Sequence, residues 1–169
     1  GLREHCSVPA PEVDIWMGTL SKSLAGCGGY IAGCRALVEP LRHFAPGFLY
    51  SVGMPAQVAA SSLAALRLMQ QEPERLAKLH RISRYFLHQA RQKGLDTGAS
   101  IGLAVVPVIL GSSVRAAGLS DALFKRGINV QPILHPAVPE KSARLRFFLS
   151  CEHTEAQIDE TLAALTEAM

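Results

Sequence analysis

Gly18-Thr19-Leu20-Ser21-Lys22-Ser23-Leu24-Ala25-Gly26-Cys27-Gly28-Gly29-Tyr30 sets one lysine among small hydroxyl residues and glycines. On one side Val13-Asp14-Ile15-Trp16-Met17 reads as a short strand, and on the other Tyr30-Ile31-Ala32 reads as a second. A lysine placed just after a strand, with no bulky neighbours, can come close to a planar ligand. Its amine attacks a carbonyl only when neutral, and burial favours the neutral form. The Thr19 and Ser21 hydroxyls can bind a phosphate oxygen, and the glycines let backbone N–H groups approach one. Pattern alone leaves the ordinary alternative open, a solvated surface lysine in a Gly-rich turn. A phosphate-binding P-loop fits poorly, because its glycine directly precedes the lysine and Ser21 stands there.

Working outward, the remaining chain reads as helices and strands in alternation. Arg35 to Phe44 suggests a short helix disturbed by Pro40. Pro55 is placed to start a long helix, in which Ala59, Leu63, Leu66 and Met69 line one face. Glu72-Pro73-Glu74 opens another, with Leu76, Leu79, Ile82 and Phe86 at helical spacing and Gly94 at its end. Val105 to Leu110 is a strand, and Ser113 to Arg126 a helix closed by Gly127. Ile128 to Gln131 and Arg144 to Leu149 are further strands. Thr154 to Met169 forms the last helix, where Thr154 and Gln157 make a capping box. Its buried stripe is expected to be Ile158, Leu162, Leu165 and Met169.

This order makes the chain α/β, with an α+β region over residues 55–169 in which a small sheet carries helices packed on one face. Residues 1–54 hold two strands with no evident partners and read as the tail end of a larger sheet. The expected division is therefore 1–54 and 55–169. Gly1 stands where an initiator Met would, so the chain is expected to be a piece of a longer protein.

Composition narrows the function classes. Hydrophobic residues make up 49% and charged residues 18% of 169, which places the chain among globular enzymes and far from disordered segments. The net charge of +3 is spread over scattered basic residues, which is no footprint for nucleic acid. No apolar run reaches the roughly 18 residues of a membrane span, and no signal peptide is evident. Cys6, Cys27, Cys34 and Cys151 lack Cys-x-x-Cys spacing and read as reduced thiols in a cytoplasmic protein. His5, His43, His80 and His88 show no metal-ligand spacing, so no metal is expected.

Gly18-Thr19-Leu20-Ser21-Lys22-Ser23 followed by Gly28-Gly29-Tyr30-Ile31-Ala32-Gly33 closely resembles the cofactor-lysine motif of the α-oxoamine synthases. Three further stretches agree in the same order: Phe48-Leu49-Tyr50-Ser51 with Pro55, then Gly127-Ile128-Asn129-Val130 with His135-Pro136-Ala137-Val138-Pro139, then Arg144-Leu145-Arg146 with Ser150 and His153-Thr154. The resemblance implies the C-terminal portion of a fold-type I enzyme dependent on pyridoxal 5'-phosphate (PLP), in a homodimer. It implies that Lys22 carries the cofactor as a Schiff base and serves as general base, and that Thr19 and Ser21 contact the phosphate. Ser51 would reach the phosphate of the neighbouring subunit's cofactor. Arg146 would hold the substrate carboxylate, and His135 would lie near the substrate entrance, where the family often has an aromatic residue or a proline. An amino acid and an acyl thioester would be the substrates, with decarboxylation to an α-amino ketone. Strand alternation puts Arg146 on the face of Arg144 and Phe148; Arg144 reads as structural, and His153 as support for the last helix.

Two departures bear on that expectation. Aminotransferases of the same fold usually follow their lysine with Gly-x-Arg-x-Gly-Tyr, whereas Gly26-Cys27-Gly28-Gly29-Tyr30 has no arginine, which favours acyl transfer. The family also uses an Asp-x-x-His motif upstream of the lysine to face the pyridine nitrogen and stack on the ring. None occurs before Lys22, so these 169 residues alone are expected to bind PLP weakly and to be inactive. An aminotransferase-like enzyme and a non-catalytic scaffold domain are the alternative readings.

Overall fold

Two small antiparallel sheets organise the chain. The computed structural model describes residues 1–169, which divide into the units Gly1–Gln71 and Glu72–Met169. In the first unit a short helix α1 (Leu2–Cys6) precedes strands β1 (Ile15–Thr19) and β2 (Gly29–Gly33), then helices α2 (Arg35–Phe44), α3 (Pro46–Leu49) and α4 (Ala56–Gln71). The two strands expected to lack partners pair with each other, Ile15 opposite Gly33 and Thr19 opposite Gly29. β1 starts at Ile15 and not at Val13, because a 3-10 turn over Ala10–Glu12 occupies the approach. Across the hairpin Gly18 faces Tyr30; a Cβ on Gly18 would stand 2.3 Å from the ring, so the glycine gives the tyrosine room to lie over the strand. α2 forms despite Pro40, which removes one backbone donor without ending the helix.

α4 begins directly after Pro55, as its sequence suggests. Its expected apolar face is not buried: Leu63 and Met69 are each 47% exposed, Leu66 is 37% exposed, and Ala59 is exposed. The periodicity is helical, but nothing within the unit covers that face. Ser62 is the helix's one buried residue, and Leu20 is the unit's one buried large apolar side chain.

The second unit contains α5 (Pro73–Gln92), β3 (Val105–Ile109), α6 (Ser113–Phe124), β4 (Gln131–Ile133), β5 (Arg144–Phe148) and α7 (Glu155–Ala168). Its sheet runs β3-β5-β4, antiparallel throughout, and the two outer strands each carry a proline, Pro107 and Pro132. Proline cannot donate to a ladder, so these positions suit edge strands. Along β5, Leu145 and Phe147 enter the core while Arg144, Arg146 and Phe148 lie on the other face. The core joins those two to Ile82 and Phe86 of α5, Leu119 and Leu123 of α6, and Ile158, Leu162 and Leu165 of α7, which is the expected sheet with helices on one face. Tyr85 donates its hydroxyl to both carboxylate oxygens of Asp159 at 2.9 and 3.0 Å, tying α5 to α7.

β4 starts at Gln131, three residues later than its sequence suggests. Gly127 takes φ 81°, Ile128 N–H returns to the Leu123 carbonyl at 3.0 Å, and the Val130 carbonyl is taken by the Ser120 hydroxyl at 2.6 Å. These backbone groups close the end of α6 and are not free for a ladder. Met169 is 53% exposed and stands past the helix end, outside the expected buried stripe. The capping box does form: Gln157 N–H donates to Thr154 Oγ1 at 3.2 Å, and Thr154 N–H to Gln157 Oε1 at 3.0 Å. Thr154→Ala is expected to cost about 1 kcal/mol of stability, seen as a lower urea midpoint at unchanged slope. An unchanged midpoint would show that the box contributes nothing.

Candidate active site

The turn between β1 and β2 closes on itself. Leu20 N–H donates to the Gly28 carbonyl at 2.9 Å, and Gly26 N–H to the Leu20 carbonyl at 2.7 Å. Inside that ring Ala25 N–H donates to the Lys22 carbonyl at 2.9 Å, so Lys22 opens a tight turn that Ala25 ends with φ 50°. Beside the lysine, the Thr19 and Ser21 hydroxyls lie 2.8 Å apart, and Ser21 N–H donates to Thr19 Oγ1 at 3.2 Å. Thr19, Ser21 and Lys22 are thus brought together by one turn. All three are exposed, so the burial expected to favour a neutral amine is not supplied by this unit. Ser51, just past α3, is also exposed; its hydroxyl donates to the Phe48 carbonyl at 2.9 Å and makes no bond to the lysine turn.

In the second unit Arg146 sits on the outer face of the central strand, opposite Pro107 of β3 and Gln131 of β4. Its guanidinium carbon lies 4.8 Å from the centroid of the Phe148 ring. It donates to no acceptor of this chain, whereas Arg144 Nε donates to the Ser142 carbonyl at 2.7 Å. The arginine expected to bind substrate is uncommitted, and the one expected to be structural is engaged. His153 Nδ1 accepts from Ser150 N–H at 3.2 Å, a local support at the start of α7.

His135 is held by residues that short-range sequence patterns do not single out. Its N–H donates to Ser113 Oγ at 3.2 Å; Ser113 in turn gives its N–H to Glu140 Oε1 at 2.7 Å and its hydroxyl to the other oxygen of that carboxylate. Ser113 and Glu140 are 27 positions apart, a separation no helix or strand period registers. The Ser113 hydroxyl, then its N–H, then attraction to His135 hold the Glu140 carboxyl below its ordinary value of 4.5. A depressed carboxylate contributes stability above the unfolded value that disappears as pH falls through the folded one. Unfolding midpoints are therefore expected to drop on acidification below that ordinary value, and Glu140→Gln to flatten that part of the profile. Identical profiles for wild type and variant would show that the carboxylate is uncoupled from folding.

The donor set at the turn, a primary amine beside two hydroxyls, suits the aldehyde and phosphate of PLP. No carboxylate takes part in the turn's hydrogen bonds to face a pyridine nitrogen. No group of three or more His, Cys, Asp or Glu side chains is arranged to hold a metal, and no helix is long and apolar enough to cross a membrane.

Residues 6–165 match the family model described as aminotransferase class I and II. The chain belongs to that family. Among its relatives, 8-amino-7-oxononanoate synthase of Symbiobacterium thermophilum is 43% identical over 156 residues, covering 92% of this chain and 40% of that protein. A Sphingomonas wittichii serine palmitoyltransferase structure superposes with TM-score 0.90 at 27% identity, covering 99% of this chain and 42% of its own. A structure of SPT with PLP internal aldimine gives TM-score 0.91 at 25% identity, with the same coverage. These relatives and neighbours are α-oxoamine synthases, as the motifs around Lys22 and Arg146 implied, and the fold is that of the fold-type I PLP transferases. The chain spans about two-fifths of the length of the curated relatives it matches.

Proposed function

We propose that the full-length protein is a PLP-dependent acyltransferase of the aminotransferase class I and II family, most similar in activity to 8-amino-7-oxononanoate synthase. It condenses an amino acid with an acyl thioester, releasing carbon dioxide and the free thiol to leave an α-amino ketone. The observation that carries this reading is the closed turn holding Lys22 beside the Thr19–Ser21 hydroxyl pair, in a chain 43% identical to such a synthase. PLP bound there would supply an electron sink.

Each residue has a part. Lys22 would hold the cofactor through its amine and, with that amine free, would take the substrate's α-proton. Thr19 and Ser21 hold phosphate oxygens through hydroxyl and backbone donors. Ser51 reaches the phosphate in the partner subunit of a homodimer. Arg146, free of internal acceptors, takes the substrate carboxylate through its two-pronged donor fork. His135 lies on the loop at the substrate entrance. Residues 1–54 are the end of the large cofactor domain and 55–169 the small domain, although α4 groups with the first unit in this structure, and the enzyme works in the cytoplasm with the thiols of this segment reduced.

The 169 residues alone are expected to bind PLP weakly and to be inactive, because Lys22, Thr19, Ser21 and Ser51 are all exposed and little is pre-organised to offset the cost of holding a ligand. The reaction class is tested in the full-length protein by following thiol release from an acyl thioester. Release that depends strictly on an added amino acid is the expected result. Amino-group exchange with a 2-oxo acid and no thioester consumed would establish an aminotransferase instead, and neither reaction would leave a scaffold.

A further inference from the structure

Gly26 is a glycine that its backbone does not require. The left-handed conformation in this turn belongs to Ala25, at φ 50°, while Gly26 has a φ that any residue adopts. What favours glycine is space, since a side chain here would force the Ser62 hydroxyl from its seat. A Cβ at position 26 would stand 2.2 Å from the Oγ of Ser62, with Leu20 Cβ next at 3.3 Å and Val58 Cγ1 at 3.4 Å. Ser62 is the buried residue of α4, 7% exposed, and its hydroxyl has no hydrogen-bond partner. Ser61 beside it does back-bond, to the Val58 carbonyl at 3.1 Å. A buried hydroxyl without a partner is costly, so the Ser62 Oγ serves here as a shape, filling the place a side chain at position 26 would take.

We infer that Gly26 and Ser62 form a size-matched lock that fixes the cofactor turn against α4 and thereby aims Lys22. The inference rests on the reading of Lys22 as the cofactor lysine. The links are few and short. Gly26 N–H is bonded to the Leu20 carbonyl at 2.7 Å, and Ala25, next to Gly26, is bonded to the Lys22 carbonyl at 2.9 Å. Any shift of Gly26 away from α4 therefore pulls both anchors of the segment that carries the lysine. Both residues act through Lys22 and touch no substrate, so they are positioning residues. Leu20, the buried plug at the mouth of the turn, seats the same contact from the strand side.

The geometry also says how the lock can be opened and closed again. Every heavy atom other than Ser62 Oγ is at least 3.3 Å from the added Cβ, so Ser62→Ala makes room for Gly26→Ala. The experiment measures, in the full-length protein at limiting PLP, the fraction of cofactor trapped on the protein by borohydride and the visible circular dichroism per bound cofactor. Displacement of a reacting group by about 1 Å costs up to roughly a hundred-fold. Gly26→Ala is expected to lower trapping by about ten- to a hundred-fold and to change the dichroism. Ser62→Ala, which leaves a gap at the contact and no clash, is expected to lower trapping less than Gly26→Ala, and the double variant, whose new methyl refills that gap, to recover most of the trapping.

Wild-type behaviour of Gly26→Ala, or a double variant as impaired as Gly26→Ala, overturns the lock. Should Gly26→Ala fail to fold, Ser62→Cys presses on the same point from α4 with a larger atom; a changed dichroism per bound cofactor supports the lock and an unchanged one overturns it. Lys22→Ala, run alongside, separates the two levels. Adduct retained in that variant defeats the functional reading, whereas adduct lost there but normal in Gly26→Ala defeats the lock alone.

Discussion

Lys22→Ala in the full-length protein is expected to abolish the borohydride-stable PLP adduct and to reduce acyl transfer to background. In the proposed reaction the amine is needed twice, as the nucleophile that would hold the cofactor and as the base that would take the α-proton. No neighbour can stand in. The side chains hydrogen-bonded around it are Thr19 and Ser21, whose hydroxyls do not form a reducible link to an aldehyde, and Lys22 is the lone lysine of the first unit. Loss of one nucleophile that also acts as base is not recovered by the remaining contacts, so the fall in rate should far exceed the fall in cofactor affinity. Free PLP can still occupy the phosphate site through Thr19 and Ser21, which makes equilibrium dialysis the useful companion measurement. Retention of a borohydride-stable adduct in the variant would place the cofactor on another amine and remove the basis of the proposed reaction.

The turn around Lys22 was legible in the sequence because its chemistry is local: hydroxyls, glycines and a lysine within a few positions. The same holds for α7 and β5, and for α5 from Ile82 onward, whose periods mark buried faces through Leu162, Leu145, Ile82 and Phe86; Leu76, on the same spacing in α5, is 54% exposed. What escaped depends on partners distant in sequence or on the backbone's own accounts. The β1–β2 pairing was missed because neither short strand buries a face: β2 is exposed throughout and no residue of β1 is buried, so no apolar alternation marks the register. The start of β4 was misplaced because Ser120 and Leu123 claim the groups that a ladder would use. α4 shows the converse. Its apolar period is real, yet a period states only which residues share a face and not whether anything in the chain covers it. Ser113 and Glu140, which hold the His135 backbone, carry no motif at all; only the fold brings the N-terminus of α6 to that loop.

Arg146→Ala in the full-length protein is expected to weaken amino-acid binding far more than Arg144→Ala. Arg146 is exposed in this structure; where bound substrate desolvates such a pair, truncating one partner costs about 2–5 kcal/mol, and the lower end of that range is already about 30-fold in affinity. The two arginines share a strand face but not a situation. Arg144 spends its Nε on the Ser142 carbonyl next to the turn that enters β5, so its loss disturbs a local backbone contact. Arg146 has spent nothing: its guanidinium rests over Phe148, which fixes the plane of the fork while leaving its donors free. A stacked arginine of this kind meets a carboxylate with both prongs at small cost in side-chain freedom. Arg146→Lys should therefore recover only part of the affinity, since an ammonium keeps the charge but loses the planar, two-pronged geometry. The Phe148→Ala variant checks the same point from below, with an intermediate loss expected because the fork stays but its platform goes. Titration of the cofactor's visible band with amino acid measures all four variants on one scale. Equal and small effects of Arg146→Ala and Arg144→Ala would show that the substrate carboxylate is held elsewhere.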